Sequence, residues 1–191
     1  MVFSFSLKPR NSRRLTIKSS SPINNKLLAS IIRVNQAGEY GARQIYRGQL
    51  SVLKNDIEIS EMLKHEQIHL DYFNKQVADR KVRPTLLQPL WHIGGFALGA
   101  ATALMGRKAA MACTVAVEEV IGEHYDSQVT ALSQTVGENE LKVNIEKFCQ
   151  EELEHKEIGL NHGAEQTFGF EAIKCLVKTI TKTAIFLSKR I

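Results

Sequence analysis

Apolar residues recur along this chain at alternating intervals of three and four, the period of a helix with one buried face. The pattern predicts six helical segments, near residues 22–54, 57–80, 86–104, 108–136, 138–165 and 170–189. Ser21-Pro22 is read as the N-cap and first-turn pair that opens the first of them. Segments of this length and spacing, with only four prolines, predict an all-α fold built on a four-helix bundle.

Four of the seams carry ionisable residues where apolar ones are expected. The fifth segment reads Leu141, Ile145, Phe148, Glu152, His155, Gly159, His162. The fourth reads Met111, Val115, Glu118, then Ile121 or Gly122, Tyr125, Val129 and Leu132, which selects Glu118 over Glu119. The second reads Ile59, Met62, Glu66, His69, Phe73, Gln76. In the first segment, Glu39 lies next to the ideal line through Asn35, Ala42 and Ile45. The phase turns Glu152 and His155 inward and directs Glu151 and Glu154 elsewhere.

The second and fifth segments share a local pattern, His65-Glu66-Gln67-Ile68-His69 and Glu151-Glu152-Leu153-Glu154-His155. Each is preceded by a helix with one inward glutamate. Glu-x-x-His puts a carboxylate and an imidazole on one helical face. Two such motifs and two single glutamates make up the ligand set of ferritin-like di-metal bundles. Four carboxylates in one buried layer repel and are costly to desolvate, and two divalent cations neutralise them. Four carboxylates and two imidazoles suit iron or manganese better than zinc. Taken singly, each glutamate is more simply a surface ion-pair partner; six residues in phase favour the metal site.

Composition narrows the function classes. The formal charge is +5 over 191 residues, but residues 1–38 hold seven Lys/Arg and no acid. The remainder is slightly acidic, and no nucleic-acid-binding motif is present. Residues 1–21 are read as a flexible basic arm, alternatively as an organelle-targeting segment, with a single domain over 22–191. Cys113, Cys149 and Cys175 have no metal or disulfide spacing. From Pro84 to Gly106 no residue is formally charged. Its Gln88, Pro89 and glycines argue against spanning a bilayer, so 84–106 is expected to lie in the membrane surface with Trp91 near the headgroups, or to pack across the bundle. Lys174, Lys178, Lys182 and Lys189 form a basic face on the last segment, able to meet the bundle or an anionic membrane.

Three strings are similar to signatures of the demethoxyubiquinone hydroxylase family of di-iron monooxygenases. They are Arg33-Val34-Asn35-Gln36-Ala37-Gly38-Glu39-Tyr40-Gly41-Ala42, Ala112 through Glu119, and Glu151 through Leu160. The resemblance covers roughly residues 26–191. It implies two iron ions per chain, with Glu39 and His69 on one, Glu118 and His155 on the other, and Glu66 and Glu152 bridging. It implies hydroxylation, with O2, of the ring of a membrane-dissolved 2-polyprenyl-3-methyl-6-methoxy-1,4-benzoquinol or quinone, with electrons ultimately from NADH. The chain has no GxGxxG fingerprint, so NADH would be used without a Rossmann domain or through a separate donor. His124 and Tyr125 are candidates for a substrate-facing or electron-relay pair, against a plain core tyrosine. The expected setting is peripheral on the cytoplasmic face of a bacterial inner membrane, alternatively the matrix face of the mitochondrial inner membrane. Other ubiquinone-biosynthesis proteins or further copies of the chain are possible partners. The rival functions are a ferritin-like ferroxidase and a non-enzymatic membrane-bound helical scaffold.

Overall fold

The computed structural model describes residues 21–22 and 24–191, so the expected basic arm lies almost wholly outside the described residues. Six helices follow: α1 (Asn25–Val52), α2 (Ile57–Asp79), α3 (Gln88–Leu104), α4 (Arg107–Leu132), α5 (Asn139–Asn161) and α6 (Phe170–Ser188). A short 3-10 turn, Ala164–Gln166, precedes α6. Helices α1, α2, α4 and α5 form the bundle, in which α1 pairs with α2 and α4 with α5. Helix α3 lies along α1, and α6 along α4. The all-α expectation holds, and every helix begins or ends within a few residues of its predicted bounds.

Three boundaries are corrected. Ser21–Pro22 does not open α1. It forms a strand, β1, that pairs in parallel with β2 (Thr135–Val136). Helix α1 starts after Asn24, whose side-chain oxygen accepts from the Lys26 N–H at 2.8 Å; asparagine caps orphan N–H groups well. Helix α4 stops at Leu132, not 136, because β-branched Thr135 and Val136 take the extended pairing with β1. Helix α5 ends at Asn161, ahead of a left-handed Gly163 at φ 83°, a backbone shape that favours glycine.

Two local devices fix the bundle ends. Asp56 caps α2 by accepting from Ile59 N–H at 3.1 Å, and its carboxylate also takes Arg107 Nε at 2.6 Å. Burial raises the Asp56 pKa, but the Arg107 and Ile59 hydrogen bonds and the Arg107 charge leave it lowered overall. Arg107 also reaches Glu58 and His162, so His162 belongs to this clamp at the bundle end. Helix α3 approaches α1 backbone to backbone. A methyl group on Gly99 would collide with the Ile45 carbonyl, and one on Gly48 with the Phe96 carbonyl.

The lysine face of α6 is not free. Lys174 and Lys178 pair with Glu119 at 3.0 and 3.1 Å, and Lys182 with Glu123 at 3.5 Å. Lys174 and Lys178 thus meet α4, while the Lys182 pair stays largely exposed.

Candidate metal centre

Each bundle helix delivers its share to one buried layer. Helix α1 supplies Glu39, α2 Glu66 and His69, α4 Glu118, and α5 Glu152 and His155. All six are at most 1 % exposed. They form two groups, Glu39–Glu66–His69–Glu152 and Glu66–Glu118–Glu152–His155, each with its ligand atoms within 4.8 Å of one another. Glu66 and Glu152 belong to both. Glu152 directs one oxygen to each histidine: Oε1 is 3.2 Å from His69 Nδ1 and Oε2 is 3.3 Å from His155 Nδ1. Phase along four separate helices therefore converges on a single two-position site.

The donor set fits a pair of cations. Glu39 Oε2, both oxygens of Glu66, Glu118 Oε2, both oxygens of Glu152 and Nδ1 of both histidines are buried with no hydrogen-bond partner. Orphaned buried acceptors of this kind are rare in folded proteins. Here they all face the two positions. Burial, then the charge of Glu152, pushes Glu66 and Glu118 well above the usual carboxylate range. Burial lowers His69, but the close approach of the Glu152 and Glu39 carboxylates to its Nδ1 and their negative charge outweigh it and lift the imidazole to about 12. Burial raises Glu152, yet the nearby imidazoles of His155 and His69 and their positive charge hold it down, at about 2. The buried carboxylates demand neutralisation, and without metal it falls to protons, held on Glu66 and Glu118 and on the two imidazoles.

Four further side chains brace the six candidate ligands, and the seam positions alone did not assign them that role. Tyr46 donates to Glu118, and Tyr125 donates to Glu39. Burial first, then glutamate charge, keeps both phenols far above their usual pKa, so both act as O–H donors. Glu151 Oε2 accepts from His69 Nε2 at 2.8 Å, and His65 Nδ1 lies 3.1 Å from His155 Nε2. The expectation that Glu151 points away from the site is thus corrected: it is half-buried, and its carboxylate reaches across to the histidine of α2. A signal was present in the chain. Glu39 and Tyr46 are seven apart, as are Glu118 and Tyr125, and His65 and Glu151 each precede a ligand glutamate. Each bracing residue crosses to the opposite half, giving the centre an approximate two-fold symmetry.

Beside the Glu39 half lies a cavity of about 330 Å³ between α1, α3, α4 and α6. Glu39, Tyr125, His124, Asn35, Trp91 and Ile180 are among the residues that line it. Its wall is mostly apolar, through Val34, Ala42, Ile45, Leu98, Val117 and Ile121. The Asn35 and Gln128 amides bond each other reciprocally, both at 2.7 Å, and Gln128 Nε2 also reaches His124 Nε2 at 2.8 Å. Burial, then the Lys189 charge, lowers His124 to about 4, a neutral imidazole at the cavity wall. Trp91 is half-buried, and its indole N–H donates to Ser188 Oγ at 3.0 Å, which ties α3 to α6.

A family profile described as "Ubiquinone biosynthesis protein COQ7" matches residues 26–188. The chain belongs to the COQ7 family. The COQ7 match spans every residue of the centre just described, from Glu39 to His155. Similar proteins include a "3-demethoxyubiquinol 3-hydroxylase" of Rhodospirillum rubrum, 50 % identical over 169 residues, 86 % of this chain and 79 % of that protein. An "NADPH-dependent 3-demethoxyubiquinone 3-hydroxylase, mitochondrial" of Homo sapiens is 46 % identical over 174 residues, 88 % of this chain and 80 % of that one. A "5-demethoxyubiquinone hydroxylase, mitochondrial" of Saccharomyces cerevisiae is 41 % identical over 182 residues, 86 % of this chain and 78 % of that one. The COQ7 assignment agrees with the family resemblance of the sequence strings.

Proposed function

We propose that this protein is an O2-dependent hydroxylase of the demethoxyubiquinone ring, acting in ubiquinone biosynthesis with two iron ions. Glu39 and His69 would hold one ion, Glu118 and His155 the other, and Glu66 and Glu152 both. Such a pair supplies oxygen activation when bound. The observation that carries the reading is the convergence of orphaned carboxylate oxygens and imidazole nitrogens on two adjoining positions, next to an apolar cavity. A flat quinone head suits that cavity. Its apolar walls exclude water, while Tyr125 and His124 offer polar contacts near the ligand carboxylate Glu39. Tyr125 donates to Glu39 and so holds that carboxylate in place against the cavity.

The polyprenyl tail needs a route to lipid. Leu86, Leu90, Ile93 and Phe96 of the α3 region are exposed, as are Ile180 and Phe186 of α6. Leu90 and Ile180 also line the cavity, so its rim and the exposed apolar surface are continuous. Among the described residues no helix is long and apolar enough to cross a membrane. These features support a peripheral protein that dips α3 and α6 into one leaflet of a ubiquinone-containing membrane. The electrons would come from a reduced nicotinamide nucleotide, in line with the NADPH named for the human relative.

The test is aerobic incubation of the iron-loaded chain with a short-tailed demethoxyquinone and a reductant under isotope-labelled dioxygen. The expected product gains one labelled oxygen on the unsubstituted ring carbon. Label from water instead would sink the oxygenase reading.

A further inference from the structure

The centre is nearly two-fold symmetric, and the symmetry breaks at one pair of positions. Tyr125 donates to Glu39 in one half, and Tyr46 to Glu118 in the other. Both histidines turn Nδ1 inward, and Glu66 and Glu152 are shared. Behind His69 Nε2 stands the Glu151 carboxylate at 2.8 Å. Behind His155 Nε2 stands the His65 imidazole, with Nδ1 at 3.1 Å. The His65 and His155 rings are 20° from parallel with centroids 5.3 Å apart. With so short an N···N separation, the two rings lie edge to edge, so an N–H···N bond runs close to both ring planes.

An imidazole that binds metal through Nδ1 keeps its proton on Nε2, and the group that accepts this proton tunes the ligand. A carboxylate adds negative charge behind the ring, strengthens the donor atom and attracts the cation. An imidazole nitrogen accepts the same proton without contributing negative charge. We infer that the two metal positions are unequal: the Glu39–His69 position binds tightly and fills first, and His65 makes the Glu118–His155 position the weaker. The inference rests on the two-metal reading above. Its consequence is that the ion beside the cavity is the persistent one, since Glu39 lines the cavity and Glu118 does not.

Manganese(II) tests this without turnover. The metal-free full-length chain is titrated anaerobically and followed by electron paramagnetic resonance. At one equivalent, the six-line signal of an isolated ion should dominate, and the spin-coupled pair should grow only towards two. The stepwise constants should differ by about ten- to a hundredfold, the usual effect of such outer partners. Glu151→Gln keeps shape and removes charge. It should weaken the first constant by about the same factor, drawing it towards the second. His65→Glu should tighten the second constant, so that the pair fills together. Circular dichroism verifies that each variant is helical. A coupled signal alone at substoichiometric manganese in the unaltered chain would overturn the inference. So would unchanged constants in Glu151→Gln. If the unaltered chain binds no manganese and no iron, the two-metal reading itself falls.

Discussion

Helices α3 and α4 follow one another across a two-residue break at Met105-Gly106 and invert the usual relation between polarity and burial. Helix α3 carries no formally charged residue, yet only Gly99, Thr102 and Ala103 are buried. Helix α4 carries several charged residues and buries most of its length, including Glu118. Buried charge and a run of large exposed apolar side chains are each uncommon in a folded protein. Together they show that burial here follows what each helix serves. Helix α4 faces a site that needs anions inside. Helix α3 uses its glycines to lie on α1 and leaves its larger apolar side chains outward.

The interior half of this comparison is the easiest to break. Glu152→Ala removes the carboxylate that reaches both positions, and bound iron should fall from about two per chain to almost none, with loss of hydroxylation. Metal analysis after reconstitution reads it directly; retention of both ions would remove Glu152 from the ligand set.

Glu118→Gln separates metal binding from folding. Burial and Glu152 raise the Glu118 pKa, so in the metal-free chain the folded state holds protons that the unfolded state releases. Stability from such a group is present below its unfolded value near 4.5 and is lost as pH rises towards the folded one. Glu66 and His69 have the same sign. The metal-free protein should therefore lose stability as pH rises above about 5. Metal should offset that loss, because it binds the deprotonated ligands. Glu118→Gln should melt higher than the unaltered chain without metal and lower with it, by calorimetry.

The outer half is tested at Ile93, which is 68 % exposed. Trp91, tied to Ser188, is a poorer probe because its loss would disturb packing. Ile93→Asp removes about 1.5–3 kcal/mol of apolar transfer, so vesicle binding should weaken about tenfold or more. Turnover of a long-tailed quinone should fall more than that of a short-tailed one, with iron content unchanged. Equal vesicle binding would show that α3 is not the lipid contact.

The α1–α3 contact comes next. Gly99→Ala forces the two backbones apart and should cost about 1–3 kcal/mol. Gly94→Ala, where a methyl meets nothing, should be neutral or slightly stabilising. The smallest effect is expected at Lys178, whose surface pairs with Glu119 and Glu123 are worth about 0–1 kcal/mol. Lys178→Gln should barely move the melting temperature or vesicle binding, since this lysine faces α4.

Helix order was legible because the three-and-four period persists through the ligand positions. Glu66, Glu118 and Glu152 could be picked from their seams because α2, α4 and α5 each show a recognisable stripe there. Glu39 was harder, because α3 covers a second face of α1 and blurs its stripe; Asn35, Gln36, Gln44 and Gln49 are all buried. Tyr46, one step off the expected line, was hidden for the same reason. Glu151 and His65 escaped because a bracing residue reaches sideways to another helix, and a one-helix pattern carries no record of its neighbour. The destination of the α6 lysines was open for a related reason: stripe and charge describe α6, but Glu119 and Glu123 belong to α4.

The division of the ligands among helices also has a kinetic side. Pairs α1–α2 and α4–α5 are joined by short connections at 53–56 and 133–138, the second of which contains β2. Local helical hairpins of this kind form fast. Docking one on the other is the nonlocal step, and it brings Glu39 and Glu66 against Glu118 and Glu152. That docking step is expected to be opposed by repulsion among these carboxylates. A cation bound at that moment would act as the mortar between two preformed walls. Refolding with a chelator should keep its fast helical phase and slow in its final one, and metal added late should release the stalled hairpins into the bundle.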